Sequence, residues 1–385
     1  MATPETKTGV KVIVVGAGFG GLTTAIECHR QGHDVKVYES FPELKQLGDI
    51  ISFGANAGRI FHRWSNGAVV SKLKPLCIDL HEYGFRIHKW DTGEVVLTQK
   101  RPPADPEAPV LNGHRGELHE VIYNYAKDEL AIPIHLGQPV TDYFEDQDAA
   151  GIQLQDGSKV SADVVIAADG VRSKARELVL GHKDKPQSSG YAIWRAWFSA
   201  DALLADPRTR QFYEYDIDES WSFPGKIEDV CRALEGWDPM CRVIVEKTPS
   251  LVDWKLMYRD ALPNWVSGGG RIALLGDAVH PFLPTSTQGA TQAMEDGVTI
   301  AVCLKRAGKK DIRTALNSYQ GIRYDRVRAV QKTGVSTREM WHKTDWEKVK
   351  EDPTTIALPR EDWILEFDAE KHAEETYERV ATPSL

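Results

Sequence analysis

The sequence has 385 residues, with 47 Lys and Arg against 56 Asp and Glu, and a formal net charge of -9 at pH 7. This length exceeds one typical domain and is sufficient to enclose a small molecule within a large core. The acidic excess disfavours nucleic acid as a partner, because binding a phosphate backbone needs a dense positive surface.

The cysteine spacing argues against a metal or redox site, and the short apolar runs argue against a membrane span. The five cysteines are scattered and lack the C-x-x-C spacing of a metal or redox site, so we expect reduced thiols and no metal ion. The polar start MATPETKTG has no apolar targeting core. No apolar run approaches the ~18 residues that a membrane span needs. We therefore expect a soluble, cytoplasmic protein that does not bind membranes.

The chain begins with a predicted strand, a glycine-rich turn and a helix. Lys11 to Val15 is a β-branched run that ends in Gly16-Ala17-Gly18-Phe19-Gly20-Gly21, and apolar residues then recur at helical spacing up to Gly32. In this pattern Gly16 permits a tight turn, Gly18 lets the backbone approach a pyrophosphate, and Gly21 lets helix and strand pack closely. The N–H groups at a helix start attract phosphate, so the pattern predicts a dinucleotide site.

A second predicted strand, Asp34 to Tyr38, delivers Glu39 at a spacing that suits a carboxylate bound to ribose hydroxyls. Alone, G-x-G-x-x-G is a weak signal, and an isolated acid here is also typical of a solvated strand end. Strand, helix and acid in register strengthen the prediction. They do not distinguish NAD from FAD, because both dinucleotides use this motif.

Two later predicted strands each run into an acidic turn. Val164 to Ala168 leads into Asp169-Gly170-Val171-Arg172-Ser173-Lys174-Ala175-Arg176. Ile272 to Leu275 leads into Gly276-Asp277-Ala278-Val279-His280-Pro281, followed by a helical stretch that contains Glu295-Asp296. An isolated Gly-Asp pair is more often an ordinary turn or helix cap, so the pair gains meaning only beside the other motifs.

Together these segments resemble the fingerprints of the class A flavoprotein monooxygenases, the family of p-hydroxybenzoate hydroxylase and salicylate hydroxylase. Asp169 and Asp277 fall in segments similar to the family's DG and GD motifs. Arg115-Gly116-Glu117-Leu118 resembles its R-x-x-L helix start, and the similarity extends in order from about Lys11 to Ala307. The resemblance implies an α/β fold in which a Rossmann-type FAD-binding domain is interleaved with a mostly antiparallel β-sheet substrate domain, before a helical C-terminal tail.

The implied FAD-binding domain covers residues 1–77, 107–180 and 268–340, the substrate-binding sheet domain covers 78–106 and 181–267, and the tail covers 341–385. Family resemblance assigns the FAD contacts to a set of residues spread over all three motifs. They are Gly16, Gly18, Gly21, Glu39, Ser52, Arg115, Val140, Asp169, Asp277, Pro284, Gly289 and Ala290. A surface salt bridge for Arg115 and a core position for Val140 stay open as alternative roles.

Within that resemblance, Asp277 is placed to hydrogen-bond a ribityl hydroxyl. Gly289 and Ala290 would open a helix whose N-terminus stabilises negative charge on reduced flavin. No second G-x-G-x-x-G exists for NAD(P)H, which fits class A enzymes. One departure is Thr287, at a position where the family often has glycine, so this loop loses conformational freedom.

Aromatic residues between the last two motifs predict a sheet that covers the flavin. Trp254, Leu256 and Tyr258 alternate as on a strand with one apolar face. Arg195 lies amid apolar strand residues, where an arginine needs a partner. The family resemblance places Arg195 and Asp49 near flavin and substrate, as catalytic candidates that could equally have structural partners. The predicted substrate-contacting residues are Trp197, Trp221, Phe223 and Phe282.

The implied activity is that of an FAD-dependent monooxygenase, in which NAD(P)H reduces FAD, O2 forms a C4a-hydroperoxide, and one oxygen passes to a small aromatic substrate. Residues Leu47-Gly48-Asp49, Asn56, Arg59-Ile60 and Arg63-Trp64 look most like fungal alkaloid monooxygenases that epoxidise indoles. Salicylate-hydroxylase-like enzymes share much of this pattern. A flavin-dependent halogenase, an inert flavin-binding protein and an NAD-dependent dehydrogenase are further alternatives. The oligomeric state stays open.

Two expectations concern the rest of the chain. The interval from Arg195 to Gly276 is short for this family by several strands. The junction from Gln211-Phe212-Tyr213-Glu214-Tyr215 to Asp216 lacks turn residues. We therefore expect a further segment near Phe212 to Asp216, close to the substrate entrance. After Ala307 the chain is charged and helical, and we expect Trp341, Trp346 and Trp363 to dock this tail on the FAD domain.

Overall fold

The computed structural model describes residues 7–44, 50–80, 84–100, 105–184, 187–195, 205, 226–249 and 251–382, without the side chains of 187–192, 195 and 252–258. In chain order, strands β1 to β14 of this part are Lys11–Val15, Asp34–Tyr38, Ile50–Phe53, Phe85–His88, Val95–Gln99, Leu111–His114, Ile134–His135, Val140–Glu145, Ala150–Leu154, Lys159–Ala162, Val164–Ala167, Gln187–Arg195, Val252–Tyr258 and Ile272–Leu274. Helices α1 to α12 are Phe19–Arg30, Ala55–Arg63, Ala68–Leu73, Arg115–Asn124, Ala175–Leu180, Ile227–Ala233, Pro239–Glu246, Gly289–Ala307, Ile312–His342, Trp346–Glu351, Asp362–Leu365 and Ala369–Ala381.

A five-stranded parallel sheet has the strand order β14-β11-β1-β2-β7. Its middle strand β1 lies between β11 and β2, so that Val14 is paired with both Ile166 and Val37. All four residues of β11 are buried. Such an uninterrupted apolar strand is typical of a parallel sheet covered on both faces. The sheet confirms the predicted Rossmann-type α/β fold.

Helix α8 is buried over most of its length and packs against α1, α9 and α12. Its contact with α1 is especially close at one position. A Cβ atom at Gly297 would lie 2.8 Å from the backbone nitrogen of Thr24 and 2.9 Å from its Cα. Because real Cβ atoms do not approach backbone this closely, only glycine permits this separation of the two helices.

Antiparallel pairing accounts for the remaining sheets of the described chain. Strands β8, β9 and β10 form a three-stranded sheet, and β3–β6, β4–β5 and β12–β13 form pairs. In the last pair, Arg195 of β12 is opposite Val252 of β13, and Ile193 is opposite Trp254. The strand predicted from the alternation at Trp254 to Tyr258 is therefore confirmed. The domain limits stay a prediction from the sequence.

The tail is helical, as predicted, and two of its three tryptophans make contacts that bear on how it packs. The indole nitrogen of Trp341 donates to the carbonyl of Ile356 over 3.1 Å. Trp363 is 44% exposed, yet its ring centroid lies 5.7 Å from the guanidinium carbon of Arg326 on α9. Smaller apolar residues carry the burial instead, among them Ile364 and Ala373.

The described part of the chain also bears on membrane spans and metal sites. No helix there is both long and apolar enough to cross a bilayer. In the same ranges, no cluster of three or more His, Cys, Asp or Glu side chains has the arrangement of a metal site. All five cysteines lie in these ranges as free thiols, and burial raises the pKa of Cys77 to about 11.

Candidate active site

Steric contacts explain why the turn between β1 and α1 contains glycines. Gly16 has a φ of +100°, and a Cβ there would lie 2.4 Å from the carbonyl oxygen of Ala168. A Cβ at Gly21 would lie 1.9 Å from the carbonyl oxygen of Gly16. Gly18 differs, because no atom lies within 4 Å of its Cβ position. Two glycines thus permit close packing, while the third faces open space in front of the helix start, as a pyrophosphate requires.

No side chain caps the start of α1, so its first N–H groups are available to a phosphate. Glu39 lies directly beside this turn at the end of β2. Its Oε2 accepts a hydrogen bond from the backbone nitrogen of Ala17 over 2.7 Å, and its Oε1 accepts from Phe41 N over 2.9 Å. The carboxylate is therefore held at the edge of the turn, where the sequence predicts a ribose contact.

Helix α4 brings two polar side chains to the same turn. The guanidinium of Arg115 lies 5.4 Å from the ring centroid of Phe19. The Nε2 of His119 lies 2.6 Å from the carbonyl oxygen of Ala17. Burial lowers the pKa of His119, so the neutral ring donates this hydrogen bond. Sequence reasoning missed His119, although it lies one helical turn after Arg115 and so shares its helix face.

The two acidic motifs converge on this edge because β11 and β14 are adjacent parallel strands. Asp169 follows β11, and Asp277 follows β14. The Asp277 side chain reaches solvent, yet it lies deep enough in the protein that desolvation raises its pKa, an effect that His280 and Arg115 oppose. Its contact with solvent leaves the carboxylate open to a ligand. Asp277 is thus a solvent-accessible carboxylate whose surroundings partly desolvate it.

Asp169 is held between two elements. Its Oδ2 accepts hydrogen bonds from the hydroxyl of Tyr143 over 2.8 Å and from Lys174 N over 3.2 Å. Its Oδ1 is buried without a hydrogen-bond partner among the described residues. Desolvation raises the pKa of this carboxyl group. The carbonyl of Val140 accepts from Lys174 Nζ over 3.1 Å, so Val140 borders the same place.

The segment before α8 supplies the other cofactor candidates. Pro284 begins a 3-10 turn, and α8 begins at Gly289 with Ala290, as predicted. Thr287 adopts a φ of +53°, so the loop keeps a left-handed residue although glycine is absent. The Cβ position of Gly289 lies 3.2 Å from Phe282 Cβ, which places Phe282 against the helix start.

Several other predicted residues are placed only in part. Ser52 lies on β3 opposite Asn112 of β6. Arg195 ends β12, and its side chain lies outside the description. Asp49, Trp197, Trp221, Phe223 and the expected segment near Phe212 to Asp216 lie outside the described residues.

The residues that suggested an alkaloid enzyme contact the core and tail. Trp64 donates to Glu27 over 2.7 Å, Arg59 donates to the carbonyl of Leu365 over 2.7 Å, and Arg63 forms an ion pair with Asp368. These contacts explain the residue types by packing.

A buried ionic cluster holds the Gly276-Asp277 turn from behind. Asp296 Oδ2 accepts from Gly276 N over 3.2 Å and lies 2.6 Å from His280 Nε2, while Arg323 Nε donates to Asp296 Oδ1 over 2.8 Å. Burial alone would raise the pKa of Asp296, but His280 and Arg323 outweigh it and lower the pKa. Sequence reasoning quoted Asp296 only as part of a helix, because its partner Arg323 lies on the next helix.

Three strand ends, an uncapped helix start and two acidic turns at one sheet edge define a Rossmann-type dinucleotide-binding protein. In agreement, a family model described as an NAD(P)-binding Rossmann-like domain matches residues 14–44. The chain is 33% identical to the FAD-dependent monooxygenase nanF of Aspergillus nanangensis, covering 99% of this chain and 91% of the relative. It is 32% identical to the asperlicin C monooxygenase of Petromyces alliaceus, covering 98% and 90%.

Solved structures agree with these relatives. CtdE in complex with FAD and a substrate matches with a TM-score of 0.86 and 31% identity, over 97% of this chain and 98% of that chain. A salicylate hydroxylase substrate complex shares the fold, with a TM-score of 0.78 and 22% identity, over 99% of this chain and 100% of that chain. The chain belongs to the family of fungal FAD-dependent monooxygenases, and FAD is its cofactor. The alignment with nanF spans 431 positions, so that relative carries residues which this 385-residue chain lacks.

Proposed function

We propose that this enzyme uses NAD(P)H and O2 to hydroxylate or epoxidise an electron-rich aromatic or indole-type small molecule in fungal secondary metabolism. The observation that carries the proposal is the meeting of Gly18, Asp169 and Asp277 at one edge of the parallel sheet. The asperlicin C monooxygenase among its relatives supports a small-molecule substrate of fungal origin.

The residues at this edge fit FAD by their chemistry. The open space before Gly18 and the uncapped N–H groups of α1 suit the pyrophosphate, and Glu39 suits a ribose. Asp277 is exposed at a strand end and suits a ribityl hydroxyl, while the start of α8 at Gly289 suits the pyrimidine edge of the flavin. When bound, FAD supplies the redox chemistry, and the protein supplies position and electrostatics.

On the substrate side, the proposal assigns the chemistry to residues of the antiparallel sheet and of the segment before β3. Arg195 would donate a hydrogen bond to the transferring oxygen or to the substrate, and Asp49 would orient a polar substrate group. Trp197, Trp221, Phe223 and Phe282 would enclose an aromatic ring and exclude water. A wet site would divert reducing equivalents to hydrogen peroxide.

A substrate screen under oxygen-18 gas tests the proposal. Purified enzyme is supplied with NADH or NADPH and with indole alkaloids or phenols, and products are identified by mass spectrometry. One heavy oxygen atom per product molecule, together with a yellow protein absorbing at about 450 nm as oxidised flavin does, is the expected result. Product without heavy oxygen, or a protein that binds no flavin, contradicts it.

The second candidate is a salicylate-hydroxylase-like phenol hydroxylase, which the shared fold favours. The same screen separates the two candidates, because this enzyme would turn over phenols and leave the indole alkaloids unchanged. A halogenase would leave oxygen out of the product and would require chloride.

A further inference from the structure

A second buried carboxylate lies beside the start of α8. Glu295 Oε1 accepts hydrogen bonds from Asn56 Nδ2 over 2.8 Å and from Arg326 Nη2 over 2.9 Å. Its Oε2 accepts from Arg323 Nη1 over 2.6 Å and from Arg326 Nε over 2.8 Å. Asn56 Nδ2 also donates to Gln288 Oε1 over 3.0 Å. We call these five residues the Glu295 array.

The charged side chains of this array are almost completely buried, and their opposite charges compensate one another. Glu295 and Arg323 are fully buried, and the side chain of Arg326 is 9% exposed. Burial would raise the pKa of Glu295, but Arg323 and Arg326 outweigh this effect and lower it. Arg323 also binds Asp296, so two guanidinium groups compensate two carboxylates. Removing one of these four charged groups leaves an uncompensated buried charge.

The position of the array gives this balance a consequence for the site. Gln288 is the residue immediately before α8, and Glu295 lies six residues after Gly289, which is about 9 Å along the helix axis. A net negative charge there would cancel much of the positive potential at the helix start. We infer that Arg326 is a positioning residue that keeps the start of α8 electropositive and so favours reduction of the flavin, which rests on the proposed FAD placement.

Arg326 also connects the Glu295 array to the C-terminal tail. Its guanidinium donates to the carbonyls of Trp363 over 2.9 Å and of Ile364 over 3.1 Å, and it lies 3.5 Å from the ring centroid of Phe367. The tail therefore holds the guanidinium in one orientation. Arg59 binds the neighbouring carbonyl of Leu365 without a described contact to Glu295, which allows the tail contact and the charge to be tested separately.

The test measures the midpoint potential of FAD bound to wild type, Arg326→Met, Glu295→Gln and the double variant. At an effective dielectric constant near 20, the interaction between two unit charges about 10 Å apart changes an equilibrium constant roughly tenfold. Tenfold is about 30 mV for a two-electron couple. Arg326→Met should lower the potential by about this amount, Glu295→Gln should raise it, and the double variant should return close to wild type.

Three control variants separate charge from structure. Arg326→Lys keeps the charge, so the midpoint potential of FAD in this variant should lie close to that of wild type. Arg59→Met loosens the tail, and Arg306→Met removes a cation of α8 that binds Glu374 and Glu378 instead, so both should leave the potential unchanged. If Arg326→Met does not fold, the rise in Glu295→Gln and the recovery in Arg326→Lys decide the question.

Shifts in the same direction for Arg326→Met and Glu295→Gln, or no shift in FAD-loaded variants, overturn the inference. So does a shift of equal size in Arg59→Met, because it would show a general loosening of the fold. Failure of the proposed function has a different signature. In that case the wild-type protein itself binds no FAD, or binds FAD and incorporates no heavy oxygen into product.

Discussion

Thr287 is a β-branched residue in a backbone conformation that favours glycine. A φ of +53° is left-handed, and a β-branched residue there carries strain of about 1–3 kcal/mol. Glycine removes the strain but costs about 0.5–1 kcal/mol through the unfolded chain. We predict that Thr287→Gly raises the free energy of unfolding by about 1 kcal/mol, measured by urea titration. Thr333→Gly, within helix α9, should lower it; an equal loss in both variants contradicts the strain.

Asp277 and Gly18 test the cofactor site residue by residue. Asp277→Ala removes the predicted ribityl partner, and Gly18→Ala places a methyl group where the pyrophosphate would lie. Both variants should fold and contain little FAD, as judged by the flavin absorbance of the purified protein. Gly268→Ala, whose Cβ position also has open space and whose φ is not left-handed, should keep full flavin content. Normal flavin in both site variants would falsify the assignment.

Arg195 tests the separation of binding from chemistry. Arg195 is not among the residues predicted to bind FAD. Arg195→Ala should therefore still bind FAD and accept electrons from NAD(P)H. Product formation should fall by roughly 100- to 1000-fold as hydrogen peroxide increases, since one donor to the transferring oxygen is lost. Arg195→Lys should recover only part of the activity. Unchanged coupling of NAD(P)H to product in the alanine variant rules out this role.

At the scale of elements, the contact of α1 with α8 is set by Gly297. Alanine improves helix propensity by about 1 kcal/mol, but overpacking against the Thr24 backbone costs about 1–3 kcal/mol. We therefore predict that Gly297→Ala lowers the free energy of unfolding by about 1 kcal/mol, the middle of the net range of roughly 0–2 kcal/mol. Gly268→Ala has open space around its Cβ position and should change it by less than about 0.5 kcal/mol. Thermal unfolding of both FAD-loaded variants compares them directly.

For the whole molecule, the pKa shifts predict acid sensitivity. Burial lowers the pKa of His33 and His119 below the ordinary value of 6.5, so the unfolded chain binds more protons than the folded one as pH falls below 6.5. Stability should therefore decline from that pH. Glu295 and Asp296 have lowered pKa values and add a second loss as pH falls below their ordinary values of 4.5 and 3.8.

Melting temperatures between pH 7 and pH 3 check this prediction. Asp169 and Asp277 have raised pKa values and act in the opposite sense, gaining stability as pH falls towards 3.8. They are outnumbered by the groups with lowered pKa values, because His29 and His372 join His33, His119, Glu295 and Asp296. A His33→Asn, His119→Asn double variant should show a flatter profile between pH 6.5 and 5. An unchanged profile would show that these histidines do not couple to folding.

The sequence by itself determined the features that depend on neighbouring residues. The limits of Lys11–Val15 and Asp34–Tyr38, and the helix starts at Arg115 and Gly289, agree with the structure. Glycines, β-branched runs and helical spacing act over a few residues, so their pattern is readable without the fold. The motif order likewise identified the family. Local patterns also explain why strands β11 and β14 were placed to within one residue.

Only the tertiary structure decided which distant residues meet. Asn56 and Glu295 are 239 positions apart, and no periodicity relates them. The same holds for the tail, where the guanidinium of Arg326 meets both the buried carboxylate of Glu295 and the carbonyls of Trp363 and Ile364. A buried charge is stable only where its partners converge from several elements. That convergence is a property of packing in three dimensions, which no local sequence pattern contains.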